Sequence, residues 1–195
     1  MLRRSIASLV AIVAALSVAT FATILGRKDC HGDSDERSAI YHAILDEHKN
    51  DAVWTDKHVV LKRTDGFRFV ATQVADMQSK MSFVNRAKYW SEFHSFLNQR
   101  DGDAFSYSPK ANQPIRLISS SERSAVESKG LVVLTFTLPG LNFWHDKAMV
   151  FMWREYAGRP GLAPSASGSL IYIRKVSGRW AIDHPSGLPS LYIVT

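Results

Sequence analysis

Lys147-Ala-Met-Val-Phe-Met-Trp-Arg-Glu-Tyr156 is the stretch on which the fold turns. From Ala148 to Trp153 every side chain is apolar, so no period of two or 3.6 shows. A short run of this kind suits a central strand buried on both faces. Ala and Met also favour helix, which is the competing reading. The flanks favour strand. Pro139-Gly140 lies upstream, and the Gly/Pro/Ser-rich segment 158–168 lies downstream. Punctuation at that spacing belongs to β structure.

The neighbouring stretches support the same reading. Leu131-Val-Val-Leu-Thr-Phe-Thr-Leu138 is β-branched and aromatic, which fits a pleated surface. Val132, Leu134, Phe136 and Leu138 are expected on one face, with Leu131, Val133, Thr135 and Thr137 on the other. Pro139 then removes a ladder donor and ends the strand. Segment 158–168 reads as a loop, 169–176 as the next strand and 179–183 as the last, with Trp180 and Ile182 on one face. Ser177-Gly178 between them is a two-residue hairpin turn. Strands this close in sequence predict an antiparallel meander.

Leu138-Pro-Gly-Leu-Asn-Phe143, Ser167-Gly-Ser-Leu-Ile-Tyr-Ile173 and Ser177-Gly-Arg-Trp180 resemble the pattern of a family of uncharacterised bacterial exported proteins. Phe93 to Asn98 and Leu117 to Glu122 resemble that family's upstream segments. The resemblance covers residues 40–182. It departs at Leu141, and its long loop has no cysteine. It implies a C-terminal antiparallel meander with a Gly-rich loop and a Gly-Arg-Trp hairpin, and it implies no activity.

Upstream, Asp33-Ser-Asp-Glu36 is an acidic helix start that complements the positive end of a helix dipole. The helix is expected to run to about His48, with Ile40, Tyr41, Ile44 and Leu45 as its apolar stripe. Residues 58–61 read as a short strand, 115–119 as another, and 121–128 as one or two helical turns. Residues 73–98 read as a helix, with a possible break near Ser82. Phe83, Ala87, Trp90, His94 and Leu97 would share its core face, widened by Tyr89, Phe93 and Phe96. That helix is the expected cover of the sheet. Residues 191–194 are expected as an edge strand. The fold class is α+β: an antiparallel β-meander covered by one or two helices, preceded by an N-terminal hydrophobic helix.

Residues 1–26 read as a signal peptide or a membrane anchor. Arg3 and Arg4 form a basic start, residues 6–25 carry no charge, and Ser17-Val-Ala19 is a small-x-small cleavage pattern. An uncharged run of that length also spans a bilayer, so both readings stand. Residues 27–36 are then a linker and 37–195 one domain. The expected location is extracytoplasmic, either periplasmic or secreted, or anchored in the inner membrane facing out. Any membrane contact of the leader would run through residues 5–26. Cys30 is the single cysteine and cannot form an internal disulfide.

The 195 residues are 46% hydrophobic, enough for one domain with a real core. The net charge of +6 sits partly in Arg3, Arg4, Arg27 and Lys28, which leaves the rest close to neutral. No basic patch interleaved with aromatics points to nucleic acid. No nucleophile elbow, phosphate loop or zinc spacing is present, and no cofactor or metal is called for. Two sets of residues remain. His94, Arg154, Glu155 and Tyr172 are the candidates for a ligand pocket between the sheet and the 73–98 helix. Asn142, Trp144 and His145, in the turn before the central strand, are the candidates for an interaction surface. The residues assign no reaction. The first functional expectation is a non-enzymatic exported or anchored domain that contacts the envelope or an envelope protein, with loop aromatics such as Trp54 and Trp144 as contacts. The alternative is a small-ligand-binding domain or enzyme with the pocket just named.

Overall fold

The computed structural model describes residues 31–48, 58–61, 67–99, 116–122, 125, 132–156, 165–185, 188 and 191–194. All fall within the unit His31–Thr195. The leader, Cys30 and Trp54 lie outside the described residues. Along the chain these are helix α1 (Ser34–His48), strand β1 (His58–Leu61), helices α2 (Phe67–Lys80), α3 (Phe83–Lys88) and α4 (Trp90–Leu97), and strand β2 (Arg116–Ile118). Strands β3 (Val132–Phe136), β4 (Gly140–Leu141), β5 (Lys147–Tyr156), β6 (Ser165–Val176), β7 (Arg179–Asp183) and β8 (Tyr192–Val194) follow. A 3-10 turn spans Ser120–Glu122, and no described helix is long and apolar enough to cross a membrane.

The competing helix reading of residues 147–156 is excluded, because β5 is the central strand. It pairs antiparallel with β3 from Val132↔Tyr156 to Phe136↔Met152, and with β6 from Lys147↔Arg174 to Tyr156↔Ser165. β7 continues the meander on β6. The turn between them places Ser177 at φ 50° and Gly178 at φ 78°, both positive as the tight hairpin requires. The meander is only part of the sheet, whose order is β2-β1-β3-β5-β6-β7. β1 runs parallel to β3 (Val60↔Leu134) and to β2 (Val60↔Leu117). The sheet is therefore mixed. Parallel neighbours need a long crossover, and the segment holding α2, α3 and α4 supplies the one from β1 to β2.

Alternation along β5 builds two cores. Ala148, Val150 and Met152 join Leu134, Phe136 and Ile173 beneath α1. Met149 and Phe151 join Leu170 on the other face, against Val70, Val74, Phe93 and Phe96 of the α2–α4 segment. Helices thus cover both faces of the sheet. The α1 stripe of Ile40, Tyr41, Ile44 and Leu45 is fully buried, as its spacing predicts. Burying each such side chain is worth about 1.5–3 kcal/mol. Tyr41 retains a polar partner, because its hydroxyl donates to the Thr137 carbonyl at 3.0 Å. The helix is capped by Asp33, whose Oδ1 accepts from Glu36 N at 2.8 Å.

Two boundaries differ from the sequence reading. Residues 73–98 are not one helix. A helix starts earlier, at Phe67, and the chain breaks at Met81–Ser82 and again at Tyr89. Ser82 leaves helical geometry at ψ 151°, and its Oγ accepts from Asn85 N at 3.3 Å as a new N-cap. Each break resets the helical phase. Phe83, Ala87, Trp90 and His94 therefore do not form a core face and are exposed, whereas Tyr89, Phe93 and Phe96 are buried. The second difference is β6, which begins at Ser165 inside the stretch expected as loop. Gly168 is buried in that strand, and a Cβ there would collide with the rings of Phe151 and Trp153. That glycine is set by close approach of side chains rather than by a turn.

Candidate functional site

The turn between β4 and β5 is organised by Asn142. Its Oδ1 accepts from Asp146 N and from Lys147 N, each at 3.0 Å, and its Nδ2 donates to Asp146 Oδ1 at 2.6 Å. A buried amide that closes a turn in this way has little capacity left for a ligand. His145 sits at φ 55°, a left-handed position that histidine tolerates better than most residues. Its Nδ1 meets Glu36 Oε2 at 2.6 Å, and the other Glu36 oxygen accepts from Lys175 Nζ at 2.7 Å. Glu36 therefore ties α1, the turn and the end of β6 together. Trp144, by contrast, is 73% exposed and meets Phe143 edge-on, with ring centroids 5.6 Å apart. Of the three interaction candidates, Asn142 and His145 hold the turn and Trp144 faces solvent.

Close to this turn lies a buried carboxylate that sequence reasoning missed. Glu92 on α4 is 3% exposed, and Ser91 Oγ donates to its Oε2 at 2.9 Å. Burial raises its carboxyl above the usual range, opposed by its backbone amide, by Ser91 and by the Lys147 charge, and reinforced by Asp146. The residue falls among aromatics in Trp90-Ser-Glu-Phe-His94, and its inward direction followed only once the break at Tyr89 fixed the phase of α4.

The four ligand candidates do not converge. Tyr172 and Glu155 lie on the α2–α4 face of the sheet, and Arg154 lies on the α1 face. Arg154 is also five positions along β5 from the partner of Tyr172, about 17 Å at strand spacing. His94 is exposed, stacks on Trp90 at 4.9 Å, and its Nε2 lies 3.0 Å from Asn98 Nδ2. Under the helical segment the space is filled by Met149, Phe151, Phe93 and Phe96. A cavity among the described residues lies elsewhere, at the edge of β6, and of the four candidates only Tyr172 lines it. Burial, with the Tyr89 hydroxyl beside it, pushes the Tyr172 phenol well above its usual range, so it stays protonated.

A different surface stands out. No residue of α3 is buried. Phe83 is 77% exposed and Val84 71%, and Trp90 follows at 44%. Arg86 and Lys88 lie on the same short helix, and Lys80 precedes it, paired to Asp76 at 2.6 Å. Lys88 Nζ and Lys147 Nζ approach the Tyr89 ring at 5.1 and 5.6 Å, so the basic groups of α3 and of the β4–β5 turn meet around one aromatic. Among the described residues no group of three or more His, Cys, Asp and Glu side chains comes together as a metal site. Compared with protein-family profiles, curated proteins and solved structures, the chain matches none.

Proposed function

We propose that this is a non-enzymatic extracytoplasmic domain, tethered or delivered by the leader 1–26, that lies on the outer surface of an anionic membrane through α3. One observation carries the reading. All the side chains of α3 but the half-buried Asn85 are exposed, and the exposed ones are aromatic, aliphatic and basic. A helix this short has little stability of its own in water, and none of its side chains is buried in a core. Mixed apolar and basic groups are what an anionic lipid interface accommodates, with rings and aliphatic chains at the acyl boundary and cations among the headgroups. The route of the chain supports it. His31 Nδ1 lies 3.1 Å from the Pro139 carbonyl oxygen, and Gly32 packs on Leu141, so the chain enters the domain beside β4. Ser95 of α4 donates to the Leu141 carbonyl at 2.7 Å on that same strand. The entry point of the chain and α4, the helix that follows α3, therefore meet at the same strand.

The test is hydrogen exchange of residues 82–89 in the full chain reconstituted into vesicles. Slower exchange on phosphatidylglycerol-containing vesicles than on phosphatidylcholine vesicles is expected. A Phe83→Ser, Val84→Ser double variant should lose that difference. Equal exchange on both kinds of vesicle would remove α3 as the docking element.

A further inference from the structure

β7 closes one side of the sheet. The strand order ends on it, so among the described residues no strand pairs with its outer edge. A strand in that position presents backbone donors and acceptors to any chain that can align with it. Which groups it presents follows from β6. Leu170 N donates to the Leu191 carbonyl on the outer side of β6 at 3.1 Å, and Lys175 N donates to the Asp146 carbonyl on the β5 side at 2.7 Å. Backbone groups alternate along an antiparallel strand, so those of Tyr172, Arg174 and Val176 also point outward. Their partners on β7 are Asp183, Ala181 and Arg179. The N–H and C=O groups of Trp180 and Ile182 therefore point away from β6, to the open edge.

The sequence of β7, Arg179-Trp-Ala-Ile-Asp183, is complementary to itself when reversed. Two copies can align antiparallel about Ala181. Trp180 then faces Ile182 of the second copy, and Arg179 faces its Asp183. In this register the outward-pointing residues Trp180 and Ile182 meet as hydrogen-bonded pairs. Ala181 on Ala181, and Arg179 on Asp183, are non-hydrogen-bonded pairs, whose side chains lie closest. Opposite charges and an aromatic facing a β-branched residue both stabilise such pairs. A slip of one residue would set outward-pointing backbone against inward-pointing backbone. A slip of two would part Arg179 from Asp183 and shorten the overlap. Parallel pairing in register would set Arg179 on Arg179 and Asp183 on Asp183. The groups are held ready for the antiparallel pairing. Trp180 and Ile182 pack against the core beneath α1, and Lys175 Nζ lies 4.8 Å from the Trp180 ring centre. Asp183 Oδ1 meets Arg174 Nε at 3.4 Å, and a carboxylate accepts at its other oxygen as well.

We propose that the outer edge of β7 docks a second copy of this chain, antiparallel and centred on Ala181, so that the two sheets become one. The interface is separate from the membrane-docking surface, since no residue of α3 belongs to it.

Disulfide cross-linking tests it, on the full chain in a Cys30→Ser background, reconstituted into phosphatidylcholine vesicles. Across a non-hydrogen-bonded pair the Cα atoms are about 4.5 Å apart, within disulfide reach. Ala181→Cys should therefore cross-link to itself under mild oxidation. Arg179→Cys should cross-link to Asp183→Cys when the two proteins are mixed, and not to itself, because the two Arg179 positions are about 14 Å apart along the pair. Arg179→Glu, at an exposed position that leaves the fold intact, should slow the Ala181→Cys cross-link about tenfold, since both charge pairs turn repulsive. Phe83→Ser with Val84→Ser should leave every cross-link unchanged. Three results would overturn the proposal. One is an Ala181→Cys protein that stays monomeric, which would give the edge to a different partner or to none. Another is Arg179→Cys pairing with itself as fast as with Asp183→Cys, which is what association through the leader alone would produce. The third is a cross-link indifferent to Arg179→Glu.

Discussion

Glu92 is a carboxylate in a place that favours its neutral form. Its value in the folded protein lies above its usual 4.5, with burial the largest cause. At low pH both folded and unfolded chains carry it protonated, and it costs nothing. As pH rises, the unfolded chain ionises first, so stability falls through the window between 4.5 and the raised folded value. Above that window the deficit is constant. Glu92→Gln keeps the neutral form at every pH and can still accept from Ser91. The variant should gain stability relative to the wild type as pH rises from about 4 to about 7. Urea unfolding midpoints at both pH values measure this, and a difference that does not change with pH would mean the carboxyl is not held neutral. Side chains of this kind were the least legible in the sequence. Tyr41 could be placed from its stripe. Glu92 and His94 were placed only by a backbone break between them and the preceding helix, which swapped the inward and outward positions.

At the level of elements, the packing of α4 on β4 depends on Gly140. A Cβ there would lie 2.6 Å from Phe96 N and 2.7 Å from the Glu92 carbonyl oxygen, both backbone atoms that cannot rotate away. Gly140→Ala should therefore lever α4 off the sheet and cost about 1–3 kcal/mol. Thermal and urea unfolding measure it, and a fully stable variant would show that α4 does not seat on β4 as closely as described. Gly140 reads in sequence as turn punctuation after Pro139, because a short sequence window does not reveal the helix above it. Gly168 misled in the same way, since a glycine beside prolines and serines signals a loop until the rings of Phe151 and Trp153 are known to cover it. Elements with local causes were legible to the residue. Strand β5, the hairpin at Ser177-Gly178, strand β7 and the stripe of α1 all follow from patterns within their own segments.

The features of the whole molecule that escaped the sequence are non-local. The parallel addition of β1 and β2 to the meander depends on a crossover through three helices. The second helical layer depends on α1 and the α2–α4 segment choosing opposite faces of β5. One edge of β6 is divided between β7 and β8. None of these has a signature within a ten-residue window. A cavity lies at the sheet edge, while Met149, Phe151, Phe93 and Phe96 pack together beneath the helical segment, where a pocket was expected. α3 stands open to solvent, and the function proposed for the molecule rests on that surface. Its immersion can be measured directly. In a Cys30→Ser background, a nitroxide is attached at Ala87→Cys, one turn after Phe83 on α3, and in a second protein at Arg179→Cys, in the β6–β7 hairpin. On anionic vesicles the Ala87→Cys label should be relaxed more by lipid-soluble oxygen than by a water-soluble nickel complex, and the Arg179→Cys label should show the reverse. Two labels equally open to the nickel complex would contradict a membrane-docked domain.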